Sequence, residues 1–389
     1  MAENSLNQAL QAGLEQARKD SLYRSRRTLL PQGGPRVRMN GRSLLNFCSN
    51  DYLGLKDHPD ICKAFKAGID KFGAGSGASS LVTGYTIAHA ALEEELAEFV
   101  GRERALLCST GYMANLGVAT SLAGRGDTII EDRLNHASLI DGARLSGARL
   151  KRYQHADLRS FQQHLQQAGG KVLVMTDALF SMDGDEAPLA GLAQQCRNND
   201  ATLMVDDAHG IGVMGPGGSG TLAARGLDMA AVPVLMGTLG KAFGTFGAFI
   251  AGSEFLIDTL VQKARAYIYT TALPPALAQA GRAALAVVKD SDHRREHLQQ
   301  LIRQLREGGR QLGLNFIESK TPIQPLLVGD PKQALELSNQ LEKRGILVTA
   351  IRPPTVPAGT SRLRITLSAG HGKEDVELLL EALDKCRVN

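Results

Sequence analysis

The chain has 389 residues, 43% hydrophobic and 22% charged, a balance that excludes wholesale disorder and leaves room for one large domain and a smaller one. The formal net charge of +4 is small for this length, and no Lys/Arg run marks a nucleic-acid face. No apolar run approaches the ~18 residues of a membrane span, so neither nucleic acid nor membrane is expected as a partner. At the N-terminus, Leu6, Leu10 and Leu14 form one helical stripe with Glu3 and Glu15 among them. Residues 1–45 are read as a helical segment, and their acids and interrupted apolar pattern argue against a signal or transit peptide.

From about residue 90, helical and strand signals alternate. "HAALEEELAEFVG" places Leu92, Leu96, Phe99 and Val100 at helix spacing, and "ALLCSTG" follows as a short buried strand. Strands are expected in "DTIIED", "KVLVMTDAL", "ATLMVDDAH", "VPVLMGT" and "GAFIAG", with helices in "NHASLIDGARLS", "DLRSFQQHLQQAGG" and "LAGLAQQCRNND". Helical crossovers between strands imply an α/β fold: a mostly parallel sheet with helices on both faces. This large domain is placed at 46–275. Beyond it, "RREHLQQLIRQLREGG", "IQPLLVG" and "RLRITLS" suggest a small α+β domain over 276–389. Five scattered cysteines (48, 62, 108, 196 and 386) include no CxxC and read as reduced thiols in a cytoplasmic protein.

One lysine stands out. "LMGTLGKAFGTFGAFIAG" sets Lys241 among glycines and apolar residues. A Walker A loop fails at both ends, because Leu235 stands where the first glycine belongs and Ala242 follows the lysine. GxGxxG occurs at 210–215 and 215–220, but with Pro216 inside and no helical run opening on the last glycine, so these are loop glycines. A nucleophilic amine must be neutral, and apolar surroundings favour that form. Lys241 is therefore either a Schiff-base lysine or an ordinary loop lysine.

Asp206 sits at the carboxyl end of "LMVDDAH", with His209 just beyond. The pair could begin a metal site, but no further cluster completes a shell, so no metal is expected. Asp206 could equally keep a pyridinium nitrogen protonated, the partner an electron-sink cofactor needs. Asp207, facing the other way on the strand, reads as structural. "STGYMAN" follows a strand and opens a helix, a place where backbone N–H groups can receive a phosphate. His136 in "LNHASL" precedes another helix.

In order along the chain, "NFCSNDYLGL", "FGAGSGASSLVTGYTIAH", "STGYMAN", "DRLNHASLIDG", "LFSMDGDEAPL", "VDDAHGIGVMG", "GTLGKAFGTFGAF" and "IYTTALPP" resemble the α-oxoamine synthase family of pyridoxal-phosphate enzymes, which have the aspartate-aminotransferase fold (fold type I). Two stretches depart from the common pattern: "GASSLVTGY", and Ala178 in "TDALFS". The resemblance implies pyridoxal 5'-phosphate as cofactor and decarboxylative condensation of an amino acid with an acyl thioester. Lys241 would carry the cofactor as a Schiff base and later move the substrate Cα proton. Asp206 would pair with the pyridinium nitrogen, His136 would stack on the ring and orient the incoming substrate, and Ser181 and His209 would meet the ring hydroxyl. Gly111, Tyr112 and Thr238 would hold the phosphate, with Thr271 from a partner subunit of a homodimer.

Arg352 would bind the amino-acid carboxylate with Asn50 nearby, while Arg24 and Thr355 would line the acyl path, with Arg26 and Arg27 close to Arg24. "IRPPTVP" resembles members that use L-alanine with a pimeloyl thioester, on CoA or an acyl carrier protein. Glycine-using relatives, the alternative, usually carry a tyrosine just before the proline of "PTVP" or "PVVP".

Overall fold

The computed structural model describes residues 5–386. Helix α1 (Ser5–Lys19) buries none of its residues, and its leucine stripe faces outward, with Leu6, Leu10 and Leu14 all exposed. The rest of the expected helical segment is an irregular stretch over 20–29 followed by a small antiparallel ladder of β1 (Leu30–Pro31), β2 (Arg36–Met39) and β3 (Arg42–Asn46). Asn40 and Gly41 both have positive φ, 50° and 77°, the pair a tight two-residue hairpin requires. Val37 and Met39 alternate inward on β2, so a strand pattern is present that four residues of β-period are too short to announce.

Next come α2 (Pro59–Phe72), α3 (Ile87–Phe99), β4 (Arg104–Cys108), α4 (Gly111–Leu122), β5 (Thr128–Asp132), α5 (Ala137–Ser146), β6 (Arg149–Tyr153) and α6 (Leu158–Gln166). They are followed by β7 (Val172–Asp177), α7 (Leu189–Asn198), β8 (Thr202–Asp206), α8 (Thr221–Ala224), β9 (Val234–Thr238) and β10 (Ala248–Gly252), then α9 (Glu254–Lys263), α10 (Arg265–Ile268) and α11 (Pro275–Lys289). The chain closes with α12 (Asp292–Gln311), β11 (Ile323–Gly329), α13 (Pro331–Lys343), β12 (Ile346–Leu347), β13 (Thr349–Ile351), β14 (Ser361–Thr366) and α14 (Lys373–Lys385). No helix among the described residues is long and apolar enough to cross a membrane.

Two compact units result. The first takes the chain up to Ser49, the short piece Met182–Gly184, and everything from His297 onward; the second takes Asn50–Ser181 and Asp185–Glu296. Residues 276–296 therefore belong with the large unit rather than the small one. The reason is packing: α11 lies so close on α2 that a Cβ at Gly68 would come within 2.8 Å of Ala276 Cα. In the first unit, β3 continues its sheet in parallel with β12, and β11, β14 and β13 form a separate antiparallel sheet.

The second unit is built on a seven-stranded sheet in the order β4-β10-β9-β8-β7-β5-β6. The expected parallel strands are all there, and only β10 runs antiparallel to both neighbours. One face is sealed by α4, α5 and α9 over Leu106, Ile129, Leu173, Met175, Met204 and Ile250, all buried. Gly142 lets α5 approach α4, since its Cβ would stand 3.0 Å from Ala119 Cβ. Because the strands are short apolar runs ending in polar residues, those polar ends collect at one edge, where ligands of open α/β sheets bind.

Candidate active site

Leu203, Met204 and Val205 bury β8, and the strand delivers Asp206 to its carboxyl end, 4% exposed. One carboxylate oxygen accepts from the Ala208 N–H (3.0 Å) and the other from Asn115 Nδ2 (2.7 Å). Asp207 turns away and takes both the N–H and the hydroxyl of Thr221, each at 2.6 Å, a structural role as its strand position suggests. Burial pushes its carboxyl up to about 7.

His209 is the next group along, and it joins two distant segments. Its Nε2 lies 2.9 Å from Lys241 Nζ and its Nδ1 2.6 Å from the Tyr52 hydroxyl, which in turn donates to Asn50 Oδ1 at 3.3 Å. The Tyr52 hydroxyl and the Lys241 amine thus meet the two nitrogens of one ring, which ties the orientation of His209 to both. Two of the glycines near Lys241 are needed by the packing of the chain itself. A Cβ at Gly237 would lie 2.5 Å from the Phe249 ring, and one at Gly244, where φ is +65°, would lie 2.4 Å from Lys56 N.

His136 caps α5. Its N–H donates to Asp177 Oδ2 (2.7 Å), and its Nδ1 lies 2.7 Å from Ser138 Oγ. Burial lowers the proton affinity of its ring against the opposing pull of Asp206. Burial, reinforced by the Asp206 charge, raises the Asp177 carboxyl well above the ordinary range. Tyr112 meets His136 edge-on with ring centroids 6.3 Å apart, and its hydroxyl donates to Asp141.

Gly111 and Tyr112 form the first turn of α4, behind the Thr110 cap, whose side chain accepts from Met113 N. Their own N–H groups have no intrahelical acceptor. Thr238 ends β9, taking the Gly240 N–H and donating to the Gly247 carbonyl. Thr271 forms an isolated bridge with Ser79.

Ser181 lies at the start of a narrow turn closed by the Phe180 N–H to Asp185 carbonyl bond (2.9 Å). His155 clamps that turn, with Nε2 2.8 Å from Asp185 and Nδ1 3.0 Å from Asp132. Burial opposes the charge on His155, but its two carboxylates outweigh burial and raise it to about 10.

Arg24, Arg352 and Thr355 lie in the first unit, around a cavity of about 350 Å³ that Tyr23 and Ser338 also line. Arg24 Nη2 donates to Thr355 Oγ1 at 3.2 Å, and Arg352 donates to the Ser21 carbonyl. Burial and the neighbouring charge of Arg24 lower the Arg352 guanidinium. Arg27 pairs with Glu342 at 3.0 Å, which leaves Arg24 as the N-terminal arginine turned toward Thr355.

Tyr52, Asn115, Ser138 and His155 were not singled out from the sequence. The first three lie inside motifs already quoted, so only their partners were missing. His155 stands in "RYQHADL", which carries no motif at all. The donor set suits pyridoxal phosphate: a primary amine, a buried carboxylate at a strand end, a histidine ring, and open first-turn amides at Gly111, where a Cβ would already press on Met236 Cε at 3.2 Å.

Residues 42–383 match the family model for aminotransferase class I and II. The 8-amino-7-oxononanoate synthase of Pseudomonas savastanoi pv. phaseolicola is 56% identical over 377 residues, covering 97% of this chain and 95% of its own. A serine palmitoyltransferase variant from S. paucimobilis with bound PLP superposes with a TM-score of 0.91 at 28% identity, over 99% of this chain and 98% of that one. The 8-amino-7-oxononanoate synthase of Francisella tularensis gives 0.78 at 32% identity, over 88% and 97%. Likeness of this extent, in sequence and in fold alike, settles the affiliation: the chain belongs to the pyridoxal-phosphate-dependent aminotransferase class I and II family, and within it to the 8-amino-7-oxononanoate synthases.

Proposed function

We propose that the chain condenses L-alanine with a pimeloyl thioester, on CoA or a carrier protein, releasing carbon dioxide and the thiol and giving 8-amino-7-oxononanoate for biotin synthesis. The observation that carries the reading is Lys241 Nζ set 2.9 Å from His209 Nε2, in the same unit as the buried carboxylate of Asp206. Lys241 would hold the cofactor covalently, Asp206 its ring nitrogen, Ser181 and His209 its ring hydroxyl, His136 its face, and Gly111, Tyr112 and Thr238 its phosphate. When bound, pyridoxal phosphate supplies a sink for negative charge at Cα.

The protein's own groups do the rest. The Lys241 amine takes the Cα proton of alanine and returns a proton after carboxylate loss, while His209 fixes where that amine points. Arg352 pairs its planar fork with the alanine carboxylate, a geometry lysine does not offer. Asn50 assists it. Arg24 and Thr355 line the acyl path, where a guanidinium suits the far carboxylate of a pimeloyl chain.

The working form is a cytoplasmic homodimer with the site at the subunit interface, completed by Thr271 of the partner subunit. Supporting this, the large apolar side chains of Val82, Ile87 and Tyr269 are each about 70% exposed, surface that a partner subunit would cover. Purified protein given L-alanine or glycine with a panel of acyl-CoAs tests the reaction by thiol release. L-Alanine with pimeloyl-CoA is expected to be fastest, and equal release with acetyl-CoA or with glycine would refute the assignment.

A further inference from the structure

A continuous line of hydrogen bonds runs from Asp206 to His136 through two residues with no role so far. Asn115 Nδ2 lies 2.7 Å from Asp206 Oδ2 and 2.8 Å from Ser138 Oγ, and Ser138 Oγ lies 2.7 Å from His136 Nδ1. The chemistry of the groups and one backbone contact set the directions. An amide nitrogen carries two hydrogens and no acceptor site, so Asn115 donates to both neighbours. Turning the amide over would set its oxygen against the Asp206 carboxylate. Ser138 Oγ, accepting from Asn115, still has its proton and a second lone pair, so the hydroxyl alone does not set the direction of its bond to His136. The Ser138 N–H sets it: it points at His136 Nδ1, at 3.3 Å, which makes that nitrogen the acceptor and the hydroxyl the donor.

His136 Nδ1 is thus an acceptor twice over, and the ring proton must sit on Nε2. Asn115 and Ser138 are both buried, so solvent does not compete for these bonds. The close approach of α4 and α5 at Gly142 brings the two side chains together, since Asn115 belongs to α4 and Ser138 to α5.

We propose that Asn115 and Ser138 are positioning residues: a relay that holds His136 as the neutral Nε2–H tautomer and couples its ring to the charge on Asp206. The functional use of the relay rests on the reading that His136 meets the cofactor ring. A neutral ring with one fixed donor can lie against a cationic pyridinium without repelling it, and it offers the same N–H in every turnover. An imidazole free to exchange tautomers would offer that donor only part of the time.

Other charges also face His136. Asp206 and Asp141 favour its protonation and Lys241 opposes it, while Asp177 holds its backbone N–H and the Tyr112 ring lies edge-on. None of these contacts Nδ1, so the tautomer is left to Ser138.

The test is two-bond ¹H–¹⁵N spectroscopy on the full chain with ¹⁵N-labelled histidine, with the His136 signals identified by their loss in His136→Gln. Wild type should show one tautomer, protonated at Nε2 and bare at Nδ1. Ser138→Ala and Asn115→Ala should each produce a tautomer mixture and raise the His136 protonation midpoint. The double variant should go no further than Ser138→Ala alone, as expected for links in series. A wild-type ring protonated at Nδ1 overturns the proposal whether or not any variant folds. So do single variants with an unchanged spectrum, or variants whose effects simply add. Because the readout is not activity, a protein that shows this spectrum but releases no thiol with L-alanine would refute the proposed reaction and leave the relay standing.

Discussion

Replacing His155 by glutamine removes the positive charge that ties Asp185 to Asp132 while keeping a hydrogen-bonding side chain of similar reach. In the folded chain His155 is raised from an ordinary 6.5 to about 10, so folding is linked to its protonation. At about 1.4 kcal/mol per pH unit, that move sets a ceiling of about 5 kcal/mol. The side chain is 25% exposed, and solvent screening reduces the expected effect to about 2 kcal/mol.

The sign follows from the raised value. The contribution is complete below pH 6.5, where the unfolded histidine is also protonated, and it fades as pH rises through about 10. Thermal unfolding of wild type and His155→Gln should therefore show a gap of about 3–4 °C at pH 6 for a unit of this size. That gap should narrow steadily toward pH 10. A gap that stays constant over that range, or widens, would show that the two carboxylates do not hold a charged imidazole.

Three further outcomes are expected. Lys241→Ala should lose the borohydride-bleachable visible band and lower condensation by at least about 10³-fold, since both the covalent hold on the cofactor and the proton carrier go with the amine. Arg352→Lys should raise KM for L-alanine by about tenfold, consistent with a loss of about 1.4 kcal/mol of bidentate pairing, with a smaller change in KM for the acyl donor; steady-state kinetics with each substrate varied would check this. Gly244→Ala adds a Cβ 2.4 Å from the Lys56 backbone nitrogen at φ +65°. It should cost about 1–3 kcal/mol of stability by thermal unfolding, and an unchanged Tm would contradict the close approach.

The large unit was legible because its strands and helices each carry a full period of pattern: "TLMVD" is apolar up to the residue that does chemistry, and "GYMANLGVATSL" begins at a capped turn. Neither the reversed β10 nor its place between β4 and β9 could be read, since "GAFIAG" looks the same in either direction. The hairpin at Asn40-Gly41 had its turn signal but only four or five residues on each side. In the site, Lys241, Asp206 and His209 stood out by residue type against their surroundings. Tyr52 did not. A tyrosine at position 52 acquires meaning only when folding sets it 2.6 Å from a histidine at 209, and Asn115 and Ser138 are the same case across two helices.

The pairing of β3 with β12 also bears on how the molecule is made. Leu45 N reaches the Gly345 carbonyl and Phe47 N the Leu347 carbonyl, so β3 leaves the ribosome with its partner roughly 300 residues behind. At ~5–20 residues per second that wait is about 15–60 s, long enough for the seven-stranded sheet to form first. Throughout it, β3 has an open edge and Leu44 and Leu45 lack the cover that buries them in the finished fold. A nascent chain stalled before residue 345 would keep that edge available to other chains, which makes the N-terminal strand the segment that a chaperone would have most reason to shield.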